Sequence, residues 1–467
     1  MRQSSSPSDV AEDGLLAALF GSADVDAACS DRALLQAMLD AESALARAEA
    51  DAEVVPRTAA DAISAACTAD RYDLAQLGRD ADGTGNPVVP LVRALTAAVP
   101  PEAATWVHHG ATSQDILDTA LVLVVARALD IVLPTLDDAA DACARLAEAH
   151  IDTLMPARTL GQQAAPTTFG LQAGGWLVGL VEAGDRLDGI RGNLAVQLGG
   201  AAGTLAALGP SGPAVLGRFA SRLTLAEPVL PWHTDRQRVL DVAAALGGAV
   251  AAAGTIGLDV TLLAQTEIGE VAEGTGDGEE RGGSSALPHK RNPVDATLVV
   301  AAARRAPGLV GTLFGTALHE HQRATGSWHA EWEPLRELLR LAGGATARTH
   351  RLLDRLEVRP DRMLANLEAS GGLLMAESIA HRLAPSLGRT AAQQRVTALS
   401  RATVRNGTTL RDELLGDNEV RELLGEQAID AGLDPAGWLG SAPTFVAWAL
   451  AEHQRRRQRS GVRQERR

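Results

Sequence analysis

In Leu246-Gly247-Gly248-Ala249-Val250-Ala251-Ala252-Ala253-Gly254-Thr255-Ile256-Gly257-Leu258-Asp259-Val260-Thr261-Leu262-Leu263 the apolar residues follow a helical period. Leu246, Val250, Ala253, Ile256, Val260 and Leu263 recur at steps of three and four, lining one face of an α-helix, and Glu267 continues the row. No proline interrupts residues 238–273, so the pattern predicts one helix about 50 Å long at the usual rise. Gly247, Gly248, Gly254 and Gly257 each cost about 1 kcal/mol of helix propensity against alanine. Close contact between helices is the return such small residues offer. A helix this long predicts a bundle that extends across subunits.

Outward from this segment the pattern persists. Residues 115–360 read as very long helices, broken by Gly/Pro-rich connections near 155–166, 198–213 and 274–293. Pro134 is expected to kink or break the helix that starts near Asp115. Residues 31–50, with Leu34, Leu35, Met38, Leu39 and Leu45 among charged residues, are helical, and a turn-rich stretch follows at 80–87. Beyond Leu364 the chain is again helical to about Leu450, and the arginine-rich tail from Gln454 reads as a frayed, solvated end. The predicted fold is all-α, in three helical units: 1–107, a long central bundle over 108–362, and 363–467 with its basic tail.

Composition narrows the function. The 467 residues are 46% apolar and 22% charged, which is ordinary globular usage. Only 3% are aromatic, with Tyr72 the sole tyrosine, so packing must rely on Ala, Leu, Val and Gly. A formal charge of -15 argues against a nucleic-acid partner. Cys29, Cys67 and Cys143 lack ligand spacing and read as reduced thiols, so no metal site is expected. The N-terminus lacks a signal-type apolar stretch, and no membrane span is read, so a cytoplasmic location is expected.

The chemistry concentrates in Gly283-Ser284-Ser285-Ala286-Leu287-Pro288-His289-Lys290-Arg291-Asn292-Pro293. Among 43 basic residues Lys290 is the only lysine, and it falls inside this loop. A compact ammonium and a planar guanidinium are not interchangeable where a point charge is wanted. Removing a proton beside a carboxylate builds charge on that carboxylate, and Lys290 and Asn292 supply a cation and an N–H donor for it. A serine acts as base only when its alkoxide is stabilised. The bland alternative is a polar Gly/Ser/Pro surface loop.

This loop resembles the signature of the aspartase/fumarase superfamily, and its Pro-His-Lys-Arg-Asn-Pro ending resembles the adenylosuccinate lyase and 3-carboxy-cis,cis-muconate cycloisomerase branch. The resemblance implies Ser284 as the proton-abstracting base, with Lys290 and Asn292 polarising the substrate carboxylate and Ser285 beside them in the substrate-binding loop. His108-His109-Gly110-Ala111-Thr112-Ser113-Gln114-Asp115 resembles a second motif, implying substrate contacts from Thr112, Ser113 and Gln114; alone it is only a good helix start. Arg158 through Gly170, with Gln162 and Gln163, resembles a further substrate segment. Gly85-Asn86-Pro87, residues 197–204 and Pro231-Trp232-His233-Thr234 are weaker matches. Arg323 with Trp328-His329-Ala330-Glu331-Trp332 is similar to the cycloisomerase side. The family architecture implies a homotetramer with shared active sites, an anionic small substrate and no cofactor.

Two departures bear on the reaction. Where adenylosuccinate lyases carry an acid-donating histidine, this chain has Leu160, and where cycloisomerases commonly show Gln-His it has Gln162-Gln163. A site without a proton donor at 160 favours a leaving group stable as an anion. The leading expectation is β-elimination from a 2-substituted succinate, nitrosuccinate giving fumarate and nitrite. The alternatives are 3-carboxy-cis,cis-muconate cycloisomerisation and, from another class, a non-catalytic helical scaffold.

Overall fold

The computed structural model describes residues 16–274, 282–283, 287 and 290–464, with side chains to residue 459. The helices that place the site are α1 (Asp31–Asp51), α2 (Ser113–Ala149), α3 (Phe169–Asn193), α4 (Gln237–Leu263), α5 (Val294–Gly315), α6 (Ser327–Asp354), α7 (Pro360–Glu368) and α8 (Ala442–Gln464). Four short strands accompany them: β1 (Leu154–Thr159) pairs with β2 (Gln162–Thr168), and β3 (Val271–Glu273) with β4 (Leu356–Val358), both antiparallel. The all-α expectation holds. The chain clusters into two compact units, one of Met1–Leu136, Ala183–Gly254 and Leu298–Arg348, the other of Asp137–Glu182, Thr255–Thr297 and Thr349–Arg467.

In the first unit the helical periods become buried faces. Ile116, Leu117, Ala120, Val124, Leu129 and Val132 of α2 are at most 1% exposed, and burying a large aliphatic side chain fully is worth about 1.5–3 kcal/mol. Contrary to expectation, α2 runs through Pro134 without a break. Pro134 and Asp130, whose carbonyl loses its helical partner, both face solvent, while Leu133 and Leu136 are buried. Water can therefore satisfy the freed carbonyl, and packing on the other face holds the helix.

The helix α4 realises the period that opened the sequence: Leu246, Val250, Ala253, Ile256 and Val260 are at most 1% exposed. Its 27 residues are long and apolar enough to cross a membrane by length and composition, yet most of the apolar window is buried within the protein, as in a core helix. It ends at Leu263 rather than near Glu273. A turn with Gly269 at φ +63° follows, after which β3 forms. Two glycines sit against neighbouring helix as expected. A methyl on Gly247 would meet Val310 at 2.8 Å, and one on Gly254 would meet the Ala303 methyl at 2.4 Å.

In the second unit the connection expected near 155–166 is instead the β1–β2 hairpin. Leu160 and Gly161 form its two-residue turn, with φ of +52° and +78°, the conformation of a type I′ turn. The start of the basic tail is helical and anchored rather than frayed: Arg456 is buried and paired with Asp137 at 2.8 Å, and His453 just before it meets Asp141 at 2.8 Å, within α8.

Replacing Gly254 with alanine should destabilise the protein although alanine is the better helix former. The propensity gain is about 1 kcal/mol, whereas overpacking a close contact costs about 1–3 kcal/mol. A thermal melt should show a lower midpoint for Gly254→Ala; an unchanged or higher midpoint would contradict the contact with Ala303.

Candidate active site

The loop 108–115 enters α2 and is held by carboxylates on every side. His108 Nδ1 lies 2.6 Å from Glu42 Oε1 and His109 Nδ1 lies 2.9 Å from Glu49 Oε1. Both glutamates are buried, one face of α1 carrying them two turns apart, and the second oxygen of each has no partner among the described residues. Burial, then the nearby Glu42 charge, pushes the Glu49 carboxyl up to about 9. Burial lowers the His109 imidazole below its usual value. For His108 burial works in the same direction, but the charge of Glu42 and its hydrogen bond outweigh it and raise the imidazole above its usual value.

Asp115 has no exposed surface. It accepts hydrogen bonds from the backbone N–H groups of Thr112 (3.0 Å), Gly199 (2.9 Å) and Gly200 (2.9 Å), and pairs with His233 Nε2 at 2.7 Å. One turn on, Asp118 pairs with Arg236 and accepts from Gln114 Nε2 (3.1 Å) and Trp328 Nε1 (2.9 Å). Burial alone would raise the Asp118 carboxyl, but Arg236 opposite it, with Trp328 and Gln114, holds it below the usual carboxylate range. Arg236 also pairs with buried Glu331 at 2.6 Å, and Glu331 meets His319 at 3.1 Å.

Thr112 and Ser113 are half-buried at the start of α2, whereas Gln114 is buried, its amide committed to Asp118, the His233 carbonyl and Arg323. Arg323 is half-buried and bonded only to neutral acceptors: Gln114 Oε1 (3.1 Å), the Gly200 carbonyl (3.4 Å) and the Ala201 carbonyl (3.0 Å). Among the described residues no carboxylate neutralises it.

The second unit holds the remaining expected residues. Arg158 forms a bidentate pair with fully buried Glu270, at 2.9 and 2.6 Å, and Asn366 of α7 donates to the same carboxylate at 2.8 Å. Gln163 donates to the Asn366 carbonyl at 3.2 Å, while exposed Gln162 reaches only the neighbouring Gly161 carbonyl. Lys290 is exposed, and Asn292 is half-buried with both its backbone N–H and its side-chain amide on the Gly282 carbonyl, at 2.9 and 3.1 Å. Gly282, at φ +72°, has no room for a side chain: a methyl there would lie 2.4 Å from the Asn292 carbonyl. Ser284 and Ser285 lie outside the described residues.

Comparison with known proteins places the chain. A family model described as "Lyase" matches residues 23–308, and one described as "Adenylosuccinate lyase C-terminus" matches residues 372–449. The chain is 46% identical over 450 residues to a 3-carboxy-cis,cis-muconate cycloisomerase of Pseudomonas aeruginosa, covering 96% of this chain and 98% of that one. It belongs to the aspartase/fumarase superfamily. It is 45% identical over 452 residues to a nitrosuccinate lyase of Streptomyces davaonensis, covering 94% of this chain and 95% of that one. A crystal structure of 3-carboxy-cis,cis-muconate lactonizing enzyme from Pseudomonas putida superposes with a TM-score of 0.89 at 41% identity, covering 95% of this chain and 99% of that one. The protein is therefore an enzyme, a lyase of this superfamily.

Sequence reading of this superfamily member missed the carboxylates behind the site. The signal for them was present. Asp115 and Asp118 interrupt the apolar run of α2 on its buried face, and Glu42 and Glu49 do the same in α1. Charges on a buried face need partners, and those partners are the loops that carry the motifs.

The Glu49 shift has a testable sign. The folded state keeps the proton up to about pH 9, while an unfolded glutamate releases it near its ordinary value of 4.5. Stability from this group is thus fullest below the unfolded value and falls as pH rises toward the folded one. Glu49→Gln needs no proton to stay neutral, so its melting midpoint relative to wild type should rise steadily from pH 5 to pH 9. Parallel midpoint curves would show that Glu49 is ionised in the folded protein.

Proposed function

We propose that the enzyme eliminates an anionic leaving group from a 2-substituted succinate, with nitrosuccinate giving fumarate and nitrite as the specific reaction. Arg323 is the observation that carries the reading: a half-buried guanidinium, pinned by carbonyls and, among the described residues, left un-neutralised, with one of its acceptors on Gln114, the residue that follows half-buried Thr112 and Ser113. Such a group is suited to a carboxylate. Ser284 takes the proton next to the second carboxylate, on which charge develops. Lys290 and Asn292 stabilise that charge, with Ser285 in the same loop. The carbon–nitrogen bond then breaks with its electron pair leaving on nitrite. Nitrite departs without a proton, in keeping with a leucine at 160. Gln114 serves by holding Arg323, and Arg158, Gln162 and Gln163 of the hairpin are assigned to substrate binding.

A second reading is cycloisomerisation of 3-carboxy-cis,cis-muconate, in which a carboxylate oxygen adds to a double bond in the reverse sense of an elimination. The similarity to cycloisomerases, equal in extent to that with the nitrosuccinate lyase, favours it. Purified enzyme given each substrate decides between them: fumarate and nitrite should appear together from nitrosuccinate, while aspartate, whose amine must be protonated to leave, should give no ammonia. Loss of muconate absorbance with no nitrite release would select the second reading. With the accepted substrate, Ser284→Ala should fold normally and lose at least about a hundredfold in turnover, the usual contribution of a positioned base; activity within threefold of wild type would remove Ser284 from the mechanism.

The active assembly in this reading is a cytoplasmic homotetramer with sites shared between copies. Leu258 and Leu262, one turn apart on α4, are 44% and 46% exposed on an otherwise apolar helix, a face suited to another copy of the chain. The three cysteines are buried thiols, as suits a reducing compartment. Light scattering should give four times 48.5 kDa, and Leu258→Asp should dissociate the assembly. Mixing inactive Ser284→Ala and Arg323→Gln subunits should restore activity if one site draws these residues from different chains; a fully active monomer would refute the shared-site arrangement.

A further inference from the structure

The un-neutralised state of Arg323 has a structural cause two bonds away. Its three acceptors are not independent. Gln114 offers Oε1 to Arg323 while its Nε2 donates to Asp118. Gly200 offers its carbonyl to Arg323 while its own N–H, with that of Gly199, donates to Asp115. Ala201 follows directly and offers the third carbonyl. Of two carboxylates one turn apart on the buried face of α2, Asp118 therefore holds a side-chain amide whose other end holds the guanidinium, and Asp115 holds the peptide N–H groups that lead directly into the two backbone carbonyls that do so.

Neither carboxylate touches Arg323, and each is balanced elsewhere, Asp118 by Arg236 and Asp115 by His233 and three backbone N–H groups. A carboxylate in direct contact would cancel the field that an incoming anion meets. A carboxylate one amide removed polarises that amide and fixes its direction, yet leaves the guanidinium charge in place. Three of the five guanidinium N–H groups are used in this way, so two remain uncommitted among the described residues.

We propose that Asp115 and Asp118 are positioning residues that aim Arg323 at a carboxylate of the substrate, acting through the Gly199–Ala201 backbone and through Gln114. The inference rests on the reading of Arg323 as the receptor of a substrate anion. It makes three distant stretches of chain, around residues 114, 200 and 323, one device for substrate affinity. Because the device is already formed, binding does not have to order it, and its loss should act mainly on affinity.

A double-mutant cycle tests this, with kcat and KM measured on nitrosuccinate and on 3-carboxy-cis,cis-muconate, and with folding and assembly of each variant checked by melting and light scattering. Asp115→Asn turns one acceptor into a donor facing Gly199 and Gly200; it should raise KM at least tenfold and lower kcat by a smaller factor. Added to Arg323→Gln, the same change should alter kcat/KM by less than twofold, because the group it positions is gone. If Asp115→Asn does not assemble, Gln114→Met takes its place, cutting the other arm with the same expected pattern. Effects that simply multiply would overturn the positioning role while leaving Arg323 as an anion receptor. An Arg323→Gln enzyme with unchanged KM and kcat, or a wild type inert to both substrates, would overturn the reading of the site and this inference with it.

Discussion

The first unit is organised by the need to satisfy two carboxylates that α2 carries into its interior. An unpaired buried carboxylate costs several kcal/mol after relaxation, and a well-paired one about breaks even. Asp115 and Asp118 must therefore recruit donors, and the donors come from segments far apart in sequence: Thr112 and Gln114, Gly199 and Gly200, His233 and Arg236, and Trp328. Of these, the segments around Thr112, Gly199–Gly200 and His233–Arg236 lie outside helices and strands. Their positions follow from where the two carboxylates are. The glycines fit the same constraint, since a side chain on Gly199 would strike Pro231 and His233, and one on Gly200 would strike the Gly110 carbonyl.

What the sequence revealed and concealed divides along this line. Helical periods are local, so α1, α2 and α4 could be read from the spacing of their leucines and valines, and the close approach at Gly247 and Gly254 from residue size. The end of α4 could not, because Ile268, Val271 and Ala272 continue an apolar pattern while Gly269 turns the chain and β4 supplies the strand partner from more than eighty residues away. The β1–β2 hairpin was hidden for another reason. Pro156 and Pro166 are paired across it, and Leu160 occupies a turn position that normally holds Asn, Asp or Gly. A two-stranded ribbon has a free edge on each strand, where a missing N–H costs little. Motifs drew attention to Thr112, Ser113, Lys290 and Asn292 by resemblance, whereas Asp118 and Arg236 sit in no motif, and the pairing of Glu331 with Arg236 becomes visible only when the partners meet.

Arg158 and Arg323 show how much of an arginine's chemistry is decided by its neighbours. Both stood in segments whose sequence resembles substrate-binding segments of the family. Arg158 is locked in a bidentate pair with a buried glutamate, and breaking that pair would leave Glu270 a buried charge held by Asn366 alone. Its charge is already answered, so its work in an isolated protomer is to hold β1 against the segment that follows α4. Arg323 is held by carbonyl dipoles only, and its charge is unanswered. An enzyme that lowers the barrier to proton loss beside one carboxylate must first fix the other, because transition-state charge is stabilised best by groups that do not reorganise as it develops. A guanidinium set by a network of buried amides and carboxylates meets that demand, and one set by long mobile ion pairs would not. The same logic fits the exposed leucine at the hairpin turn. Under the elimination proposed above, a substrate whose leaving group carries its own electron pair away as a stable anion would need firm anchoring at its carboxylates more than a donor at the departing atom, and a rigid polar network behind Arg323 would meet that need.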